Sequence, residues 1–170
     1  VMAARADLFV GREAILTPDA STDPEAVKWV TAMWESVGSR VTVMSATDHD
    51  AALAASSHSP HMLAYALTMA LANDPLNPMR HGGGALRDMT RIAASDPVMW
   101  RDVALTNKGS LIDALTAVED QLSVLKALIA SGDGEELERY AQQQEAIDSV
   151  GPGDIVGFIG PKDVQTGDTL

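Results

Sequence analysis

The 170-residue sequence contains no cysteine, which excludes disulfides, iron–sulfur clusters and cysteine-ligated zinc. Basic side chains are scarce, with 12 Lys and Arg against 24 Asp and Glu, and the net charge of −12 argues against nucleic acid as the main partner. No apolar run approaches the roughly 20 residues of a membrane span, and no basic leader precedes an apolar segment. We therefore expect a cytoplasmic protein without membrane or nucleic-acid partners, with enough apolar sequence (46%) for a folded core.

The few basic residues are concentrated in one stretch. Residues 80–108 hold five basic and three acidic side chains, a net +2, whereas residues 132–170 hold two basic and nine acidic ones, a net −7. A short basic stretch within an acidic protein suits a small anion better than a polymer.

The first part of the sequence predicts a β-α-β unit. Apolar segments at 14–17 and 41–44 are typical of buried strands, and Asp23-Pro24 is a favourable helix start that Gly38 would end. A parallel sheet needs more than two strands and cover on both faces. We therefore expect that sequence outside these 170 residues completes the sheet.

The rest of the sequence predicts a helical domain. Helices are expected at 47–73, at 85–94, from 97 onward and at 135–148. Pro60 should kink the first helix, a loop at 73–84 should precede the second, and a break is expected near 107–110. An apolar stripe with spacings of 4, 3, 4, 3 and 4 predicts packing within a bundle or across a dimer; it comprises Leu111, Leu115, Val118, Leu122, Leu125 and Ile129. We therefore expect three segments: the β-α-β unit at 1–45, the helical domain at 46–148 and a loop-rich tail at 149–170.

One candidate site combines His49-Asp50 with Ser57-His58-Ser59-Pro60-His61. His58 and His61 share one helix face, where imidazoles could bind a carboxylate or transfer a proton. Structural histidines are the alternative reading. A metal site using His49, His58 and His61 is a weaker third possibility, because no HExxH pattern accompanies them.

A second candidate site is GGGALRDMTRIAASDPVMW, residues 82–100. Three glycines allow close approach of a ligand to the backbone, and Arg87 and Arg91 share one helix face. Asp88 and Asp96 could pair with these arginines, whose guanidinium groups suit a carboxylate. The alternative is a solvated face of Arg and Asp. The sequence has no GxGxxG after a strand, no phosphate-binding loop and no GxSxG elbow.

In this order, the segments resemble the prephenate/arogenate dehydrogenase family of tyrosine biosynthesis over roughly residues 1–148. The matching segments are LFVGREAILTP (8–18), the DPEAV helix, HD (49–50), SHSPH (57–61), GGGALRDMTRIAASDPVMW (82–100) and RDVALTNK (101–108). The resemblance implies a mainly α fold, in which a helical dimerisation domain follows a β-α-β remnant of a Rossmann-type domain. It also implies NAD(P)-dependent oxidative decarboxylation of prephenate to 4-hydroxyphenylpyruvate, a homodimer, and possible inhibition by tyrosine.

The resemblance assigns roles to individual positions. Arg91 would bind the ring carboxylate of prephenate or arogenate, and His61 would lie near the side-chain carboxylate. The other implied substrate-site residues are Gly84, His58 and Trp100, the last reaching the site from the adjacent subunit in some members; Asp88 and Arg87 would form an ion-pair network. The net-basic stretch at 80–108 agrees with a dicarboxylate ligand.

The sequence also departs from the family. The glycine fingerprint, the acidic ribose-binding residue and the catalytic histidine of the family are expected upstream of Val1, so no catalytic residue and no metal ligand is assigned in this chain. We expect NAD or NADP to bind the full-length enzyme and the 170 residues alone to be inactive. The alternative is a non-catalytic dimer module that binds tyrosine or prephenate and regulates a partner.

Overall fold

The structure is a computed structural model and describes residues 7–142. The chain divides into two compact units, one up to Ala52 and the other from Leu53. The first contains a small parallel sheet and the second contains helices. The predicted limits at 45/46 and 148/149 remain predictions, and the tail at 149–170 lies outside the described residues.

The first unit contains the predicted β-α-β arrangement. Strand β1 is Glu13–Leu16, helix α1 is Pro24–Ser36 and strand β2 is Arg40–Val43. The strands pair in parallel, with Glu13 opposite Arg40 and Leu16 opposite Val43. The strands thus begin one residue earlier than the sequence predicts.

Both ends of α1 are set by the residues that predicted them. The Asp23 carboxylate accepts a hydrogen bond from the Glu25 amide at 2.9 Å, and Pro24 occupies the first turn, where its missing N–H costs nothing. Gly38 follows the helix with φ of +88°, a conformation that favours glycine. A Cβ atom at Gly38 would also lie 3.0 Å from the Val10 side chain, so a larger residue would be both strained and crowded.

Helices make up most of the remaining described residues, as predicted. The α-helices are α2 (Ala46–Leu53), α3 (Ser59–Ala72), α4 (Gly84–Ala93), α5 (Pro97–Thr106), α6 (Lys108–Ser131) and α7 (Gly134–Gln142). A 3₁₀ turn, Pro78–His81, lies in the segment predicted as a loop. The predicted break between α5 and α6 occurs at Asn107, and the part of the predicted last helix after 142 lies outside the described residues. None of these helices is long and apolar enough to span a membrane.

Pro60 interrupts the helical hydrogen bonding at the predicted place. Between α2 and α3 lies a π-helical turn, Ala54–His58, in which the Ser59 amide donates to the Ala54 carbonyl five residues back. Pro60 has no N–H to donate, and a wider turn accommodates the lost hydrogen bond. The turn carries His58, and α3 carries His61 in its first turn.

The helical unit has a small core made largely of short side chains. Ala54 and Ala64 have no exposed surface, Leu111 is 4% exposed, and Ser59 is also buried. Small side chains allow close helix approach, and α3 contacts α4 while the π-helical turn contacts α6. This packing brings histidines of the π-helical turn and α3 close to residues that follow α4.

Candidate functional site

A buried stack of two rings forms the centre of the candidate site. The imidazole of His61 and the indole of Trp100 lie 3.4 Å apart between ring centroids, with 18° between their planes. His61 is 6% and Trp100 is 8% exposed. The sequence singled out both residues, and the structure brings them together within one chain.

The start of α5 positions Trp100. The Asp96 carboxylate accepts hydrogen bonds from the Val98 and Met99 amides at 2.8 and 3.3 Å, and Pro97 occupies the first turn. This N-cap fixes where the helix begins and therefore which residue of its first turns faces His61. Asp96 is thus engaged with the backbone, whereas the sequence suggested that it could pair with an arginine.

Ser95 joins His61 to the end of α4. Its Oγ atom lies 3.0 Å from His61 Nε2, and its hydroxyl donates to the Ile92 carbonyl at 2.8 Å. The sequence analysis did not single out Ser95. It lies directly before the Asp96 N-cap, a position that gives no chemical signal without the fold.

His58 also contacts Trp100. Its ring meets the indole edge-on, with centroids 6.1 Å apart and an interplanar angle of 76°. His58 Nδ1 lies 3.3 Å from the Asn107 side-chain nitrogen, at the junction of α5 and α6. The two histidines of SHSPH thus contact one indole. Asn107 is a further residue of the candidate site, although the sequence pattern predicts only a helix break there.

Three polar atoms in or beside the stack are buried and have no hydrogen-bond partner among residues 7–142. They are His61 Nδ1, Trp100 Nε1 and the hydroxyl of Tyr65, whose ring lies 6.3 Å from that of His61. A buried polar atom without a partner costs about 1–3 kcal/mol, so such atoms are rare in folded proteins. Their grouping at one place is typical of a site that a ligand or another subunit completes.

The environment of His61 favours its neutral form. Burial lowers the pKa of His61 below its ordinary value of 6.5, and the charge of nearby His58 lowers the pKa further. A hydrogen bond to the Ile92 carbonyl acts in the opposite direction but does not offset the burial. At neutral pH, His61 therefore presents an uncharged ring.

The arginines of α4 are exposed. Within residues 7–142, neither Arg87 nor Arg91 forms an ion pair with Asp88 or Asp96. Their guanidinium groups can therefore bind an external carboxylate without displacing an internal partner. The predicted ion-pair network of Asp88 and Arg87 remains a prediction.

The glycines before α4 have different surroundings. A Cβ atom at Gly82 would overlap the Leu86 side chain, so this position requires the smallest residue. A Cβ atom at Gly83, the N-cap, would meet no heavy atom within 4 Å. Gly84 is the first residue of α4, and its predicted place in the lining of a substrate pocket remains a prediction.

His49 and Asp50 interact with each other in α2. His49 Nδ1 lies 3.0 Å from Asp50 Oδ1, and His49 is half-buried. Over residues 7–142, the structure contains no group of three or more His, Cys, Asp or Glu side chains suited to hold a metal ion. The three-histidine metal site that the sequence left open therefore finds no support in the described geometry.

The turn between β1 and α1 lacks the glycines of a dinucleotide-binding turn. A pyrophosphate is normally held by a glycine-rich turn between a strand and the N-terminus of a helix. The turn between β1 and α1 spans residues 17–23 and contains no glycine. No step that involves a nicotinamide cofactor is therefore assigned to residues 7–142.

Two family models match consecutive parts of the chain. Residues 45–143 match the family model "prephenate dehydrogenase, dimerization domain", and residues 1–43 match "prephenate dehydrogenase, nucleotide-binding domain". The chain belongs to the prephenate dehydrogenase family. The resemblance predicted from the sequence motifs is therefore confirmed.

Curated relatives include the cyclohexadienyl dehydrogenase of Zymomonas mobilis and the prephenate dehydrogenase of Bacillus subtilis. The first is 39% identical over 148 residues, which cover 83% of this chain and 50% of the relative. The second is 34% identical over 143 residues, which cover 82% of this chain and 38% of the relative. The chain thus spans half or less of the length of these proteins.

Solved structures give the same result for the fold. The prephenate dehydrogenase of A. aeolicus, in complex with hydroxyphenyl propionate and NAD⁺, matches with a TM-score of 0.77 and 39% identity over 82% of this chain and 50% of that one. A Synechocystis arogenate dehydrogenase matches with a TM-score of 0.74 and 29% identity over 82% of this chain and 52% of that one. The predicted mainly α fold with a β-α-β remnant at its start is confirmed.

Proposed function

We propose that this chain supplies the substrate-binding and dimerisation part of an enzyme that oxidatively decarboxylates prephenate or arogenate. The hydride acceptor of the complete enzyme would be NAD or NADP. The observation that carries the proposal is the buried His61–Trp100 stack, in which one nitrogen of each ring has no hydrogen-bond partner among residues 7–142. Helix α3, which carries His61, contacts the arginine-bearing helix α4.

Arg91 has the chemistry that the ring carboxylate requires. This carboxylate leaves as CO₂, so its binding partner must hold it without giving it a proton. A guanidinium remains protonated at any physiological pH and can bind both carboxylate oxygens at once. Arg91 is exposed on α4 and has no ion-pair partner among the described residues that would compete with the substrate.

His61 and Trp100 would contact the polar side chain of the substrate. The indole N–H is a donor, and the open nitrogen of neutral His61 is an acceptor. Both atoms are buried, so a bound substrate that satisfies them removes an energetic cost as well as forming new hydrogen bonds. His58 would support the indole through its edge-on contact with Trp100.

We further propose that the 170-residue chain by itself reduces neither NAD nor NADP. Its described residues lack the glycine-rich turn that binds a dinucleotide. Incubation of the purified chain with prephenate and either cofactor should give no increase in absorbance at the nicotinamide band. Measurable NADH or NADPH production would contradict this proposal.

Calorimetric titration of the chain with prephenate tests the substrate site. Replacing Arg91 by alanine removes charge-assisted hydrogen bonds worth about 1.5–3 kcal/mol, so the affinity should fall roughly 10- to 100-fold. Arg139→Ala is the matched control, because Arg139 is also an exposed arginine in the last turn of a helix, α7. Equal affinities of the wild type and Arg91→Ala would contradict the proposal, and binding of tyrosine without prephenate would favour the regulatory module.

We propose that α6 forms part of a homodimer interface. Its apolar stripe is buried only at the start, at Leu111, whereas Leu122 is 49% and Ile129 is 65% exposed. Light scattering should give twice the 17.9 kDa of one chain, and Leu122→Lys with Ile129→Lys should shift the mass toward the monomer. Ser123→Lys, at an exposed position between them, is the control; a monomeric wild type at micromolar concentration would contradict the proposal.

A further inference from the structure

The hydrogen bonding of Ser95 specifies which nitrogen of His61 carries the proton. A serine hydroxyl has one hydrogen, and Ser95 donates it to the Ile92 carbonyl at 2.8 Å. With its hydrogen directed at Ile92, Ser95 Oγ accepts from His61 Nε2, which lies 3.0 Å away, and the Ile92 carbonyl that also hydrogen-bonds His61 can likewise only accept. The neutral imidazole must then carry its proton on Nε2 and leave Nδ1 as an acceptor.

The surroundings of His61 hold the ring in this orientation. The imidazole lies against the indole of Trp100 at a centroid distance of 3.4 Å, so rotation of the ring about its Cβ–Cγ bond would bring it into the indole. Nδ1 is buried and has no hydrogen-bond partner among the described residues. His61 thus has one nitrogen engaged with the protein and one open.

We propose that Ser95 is a positioning residue, which fixes the proton of neutral His61 on Nε2 and leaves Nδ1 as the ring atom that meets the substrate. The second half of this proposal rests on the substrate site proposed above. In this arrangement Nδ1 can accept a hydrogen bond only from a donor group of the substrate. It donates to a substrate carboxylate only after it has taken up a proton, and Ser95 accepts from Nε2 in both states.

This asymmetry has a consequence for carboxylate ligands. A carboxylate placed against an unprotonated Nδ1 would face a lone pair, so its binding through this atom must be coupled to protonation of His61. The titratable group that acts on His61 among the described residues is His58, on the π-helical turn, and its charge opposes that protonation. The Ile92 carbonyl and a ligand carboxylate both favour it.

Nuclear magnetic resonance of the full ¹⁵N-labelled chain tests the tautomer directly. Long-range proton–nitrogen correlation spectra distinguish a protonated from an unprotonated ring nitrogen, and the sequence has only four histidines to assign. In the wild type near pH 7.5, His61 should show a protonated Nε2 and an unprotonated Nδ1. A protonated Nδ1, or equal populations of both tautomers, would overturn the proposal without any variant.

Two variants separate positioning from packing. Ser95→Ala should shift the His61 nitrogens toward a mixture of tautomers, whereas Ser95→Thr, which keeps the hydroxyl, should restore the wild-type pattern. Ser123→Ala is the control, because the Ser123 hydroxyl also donates to a backbone carbonyl but lies exposed on α6. An unchanged His61 pattern in Ser95→Ala would overturn the role of Ser95.

Titration of the same sample with hydroxyphenyl propionate then examines Nδ1. The Nδ1 resonance should be the His61 nitrogen that shifts most, and Nε2 should keep its protonated pattern. A shift confined to Nε2 would overturn the assignment of Nδ1 as the substrate-facing atom. Failure of the ligand to bind would contradict the proposed substrate site and, with it, the assignment of Nδ1 as the substrate-facing atom. The role of Ser95 would still be decided by the tautomer measurement.

Discussion

Among its described residues, the β-α-β unit buries a single side chain, that of Ser39, whereas the helical unit buries seven. Both contain ample apolar sequence. In the first unit, however, Trp29 is 76%, Val10 is 62% and Val43 is 55% exposed. In the second, even the large indole of Trp100 is 8% exposed.

The difference follows from the geometry of the elements. One crossover helix can cover at most one face of a two-stranded parallel sheet, so apolar residues on the other face have nothing within this unit to pack against. Helices can enclose a core with few elements, because each presents an apolar face to several neighbours. We therefore expect stability to reside mainly in the helical unit.

The largest expected difference lies between two tryptophans. Trp100→Ala removes a buried ring from the His61 stack and should lower the free energy of unfolding by about 3–5 kcal/mol. Trp29→Ala, at a position 76% exposed, should change it by less than about 0.5 kcal/mol. Urea denaturation followed by circular dichroism measures both, and comparable losses would mean that the β-α-β unit buries more surface in solution than its exposure indicates.

The next difference concerns two helix caps. Asp96→Ala should cost about 2 kcal/mol, the upper end for an N-cap, because two amides lose their acceptor and Trp100 loses its fixed helix start. Asp23→Ala removes one hydrogen bond, to the Glu25 amide of the exposed helix α1, and should cost about 0.5 kcal/mol. The same denaturation experiment ranks the two, and a larger effect at Asp23 would reverse the comparison.

At two glycines of positive φ, we expect a smaller difference in stability, with the larger loss in the β-α-β unit. Alanine at Gly132, with φ of +71° and no heavy atom near its Cβ position, should cost about 1 kcal/mol for the backbone conformation alone. Alanine at Gly38 should cost more, because its Cβ atom would also press on Val10 at 3.0 Å. A smaller decrease in melting temperature for Gly38→Ala than for Gly132→Ala would indicate that the backbone of the β-α-β unit adjusts to the added Cβ atom at little cost.

The smallest expected effect is a pH dependence specific to the helical unit. The pKa of His61 is lower in the folded chain than its ordinary value of 6.5, so the unfolded chain binds more protons. The stabilisation from neutral His61 is complete above that value and is lost as the pH falls toward the folded-state pKa. His61→Gln should flatten this slope in denaturation curves recorded as the pH falls below 6.5, whereas His81→Gln, at an exposed position, is the control and should leave the slope intact.

Sequence patterns predicted the elements well wherever a local rule operates. Asp23-Pro24 and Asp96-Pro97 begin helices because carboxylate capping and the fixed φ of proline act within a few residues. Pro60 predicted an irregularity in the first long helix. Its form, a π-helical turn, did not follow from the sequence, since several distortions can compensate for one missing N–H.

The candidate site could be predicted only in part. His58, His61 and Trp100 were singled out because their residue types and motifs carry chemical information. Ser95 and Asn107 were not, because serine and asparagine are common in turns and gain a role only from the histidines that the fold places beside them.

The sequence by itself determined the family, the order of the helices and the concentration of basic residues near the proposed site, because motifs, caps and charge are local properties. Only the tertiary structure decided that His61 stacks on Trp100, that its Nε2 lies 3.0 Å from Ser95 Oγ and that its Nδ1 has no hydrogen-bond partner among residues 7–142. These contacts join residues 34 to 39 positions apart. The contacts depend on the packing of α3 against α4 and on the residue at which α5 begins. No local sequence pattern specifies both features at once.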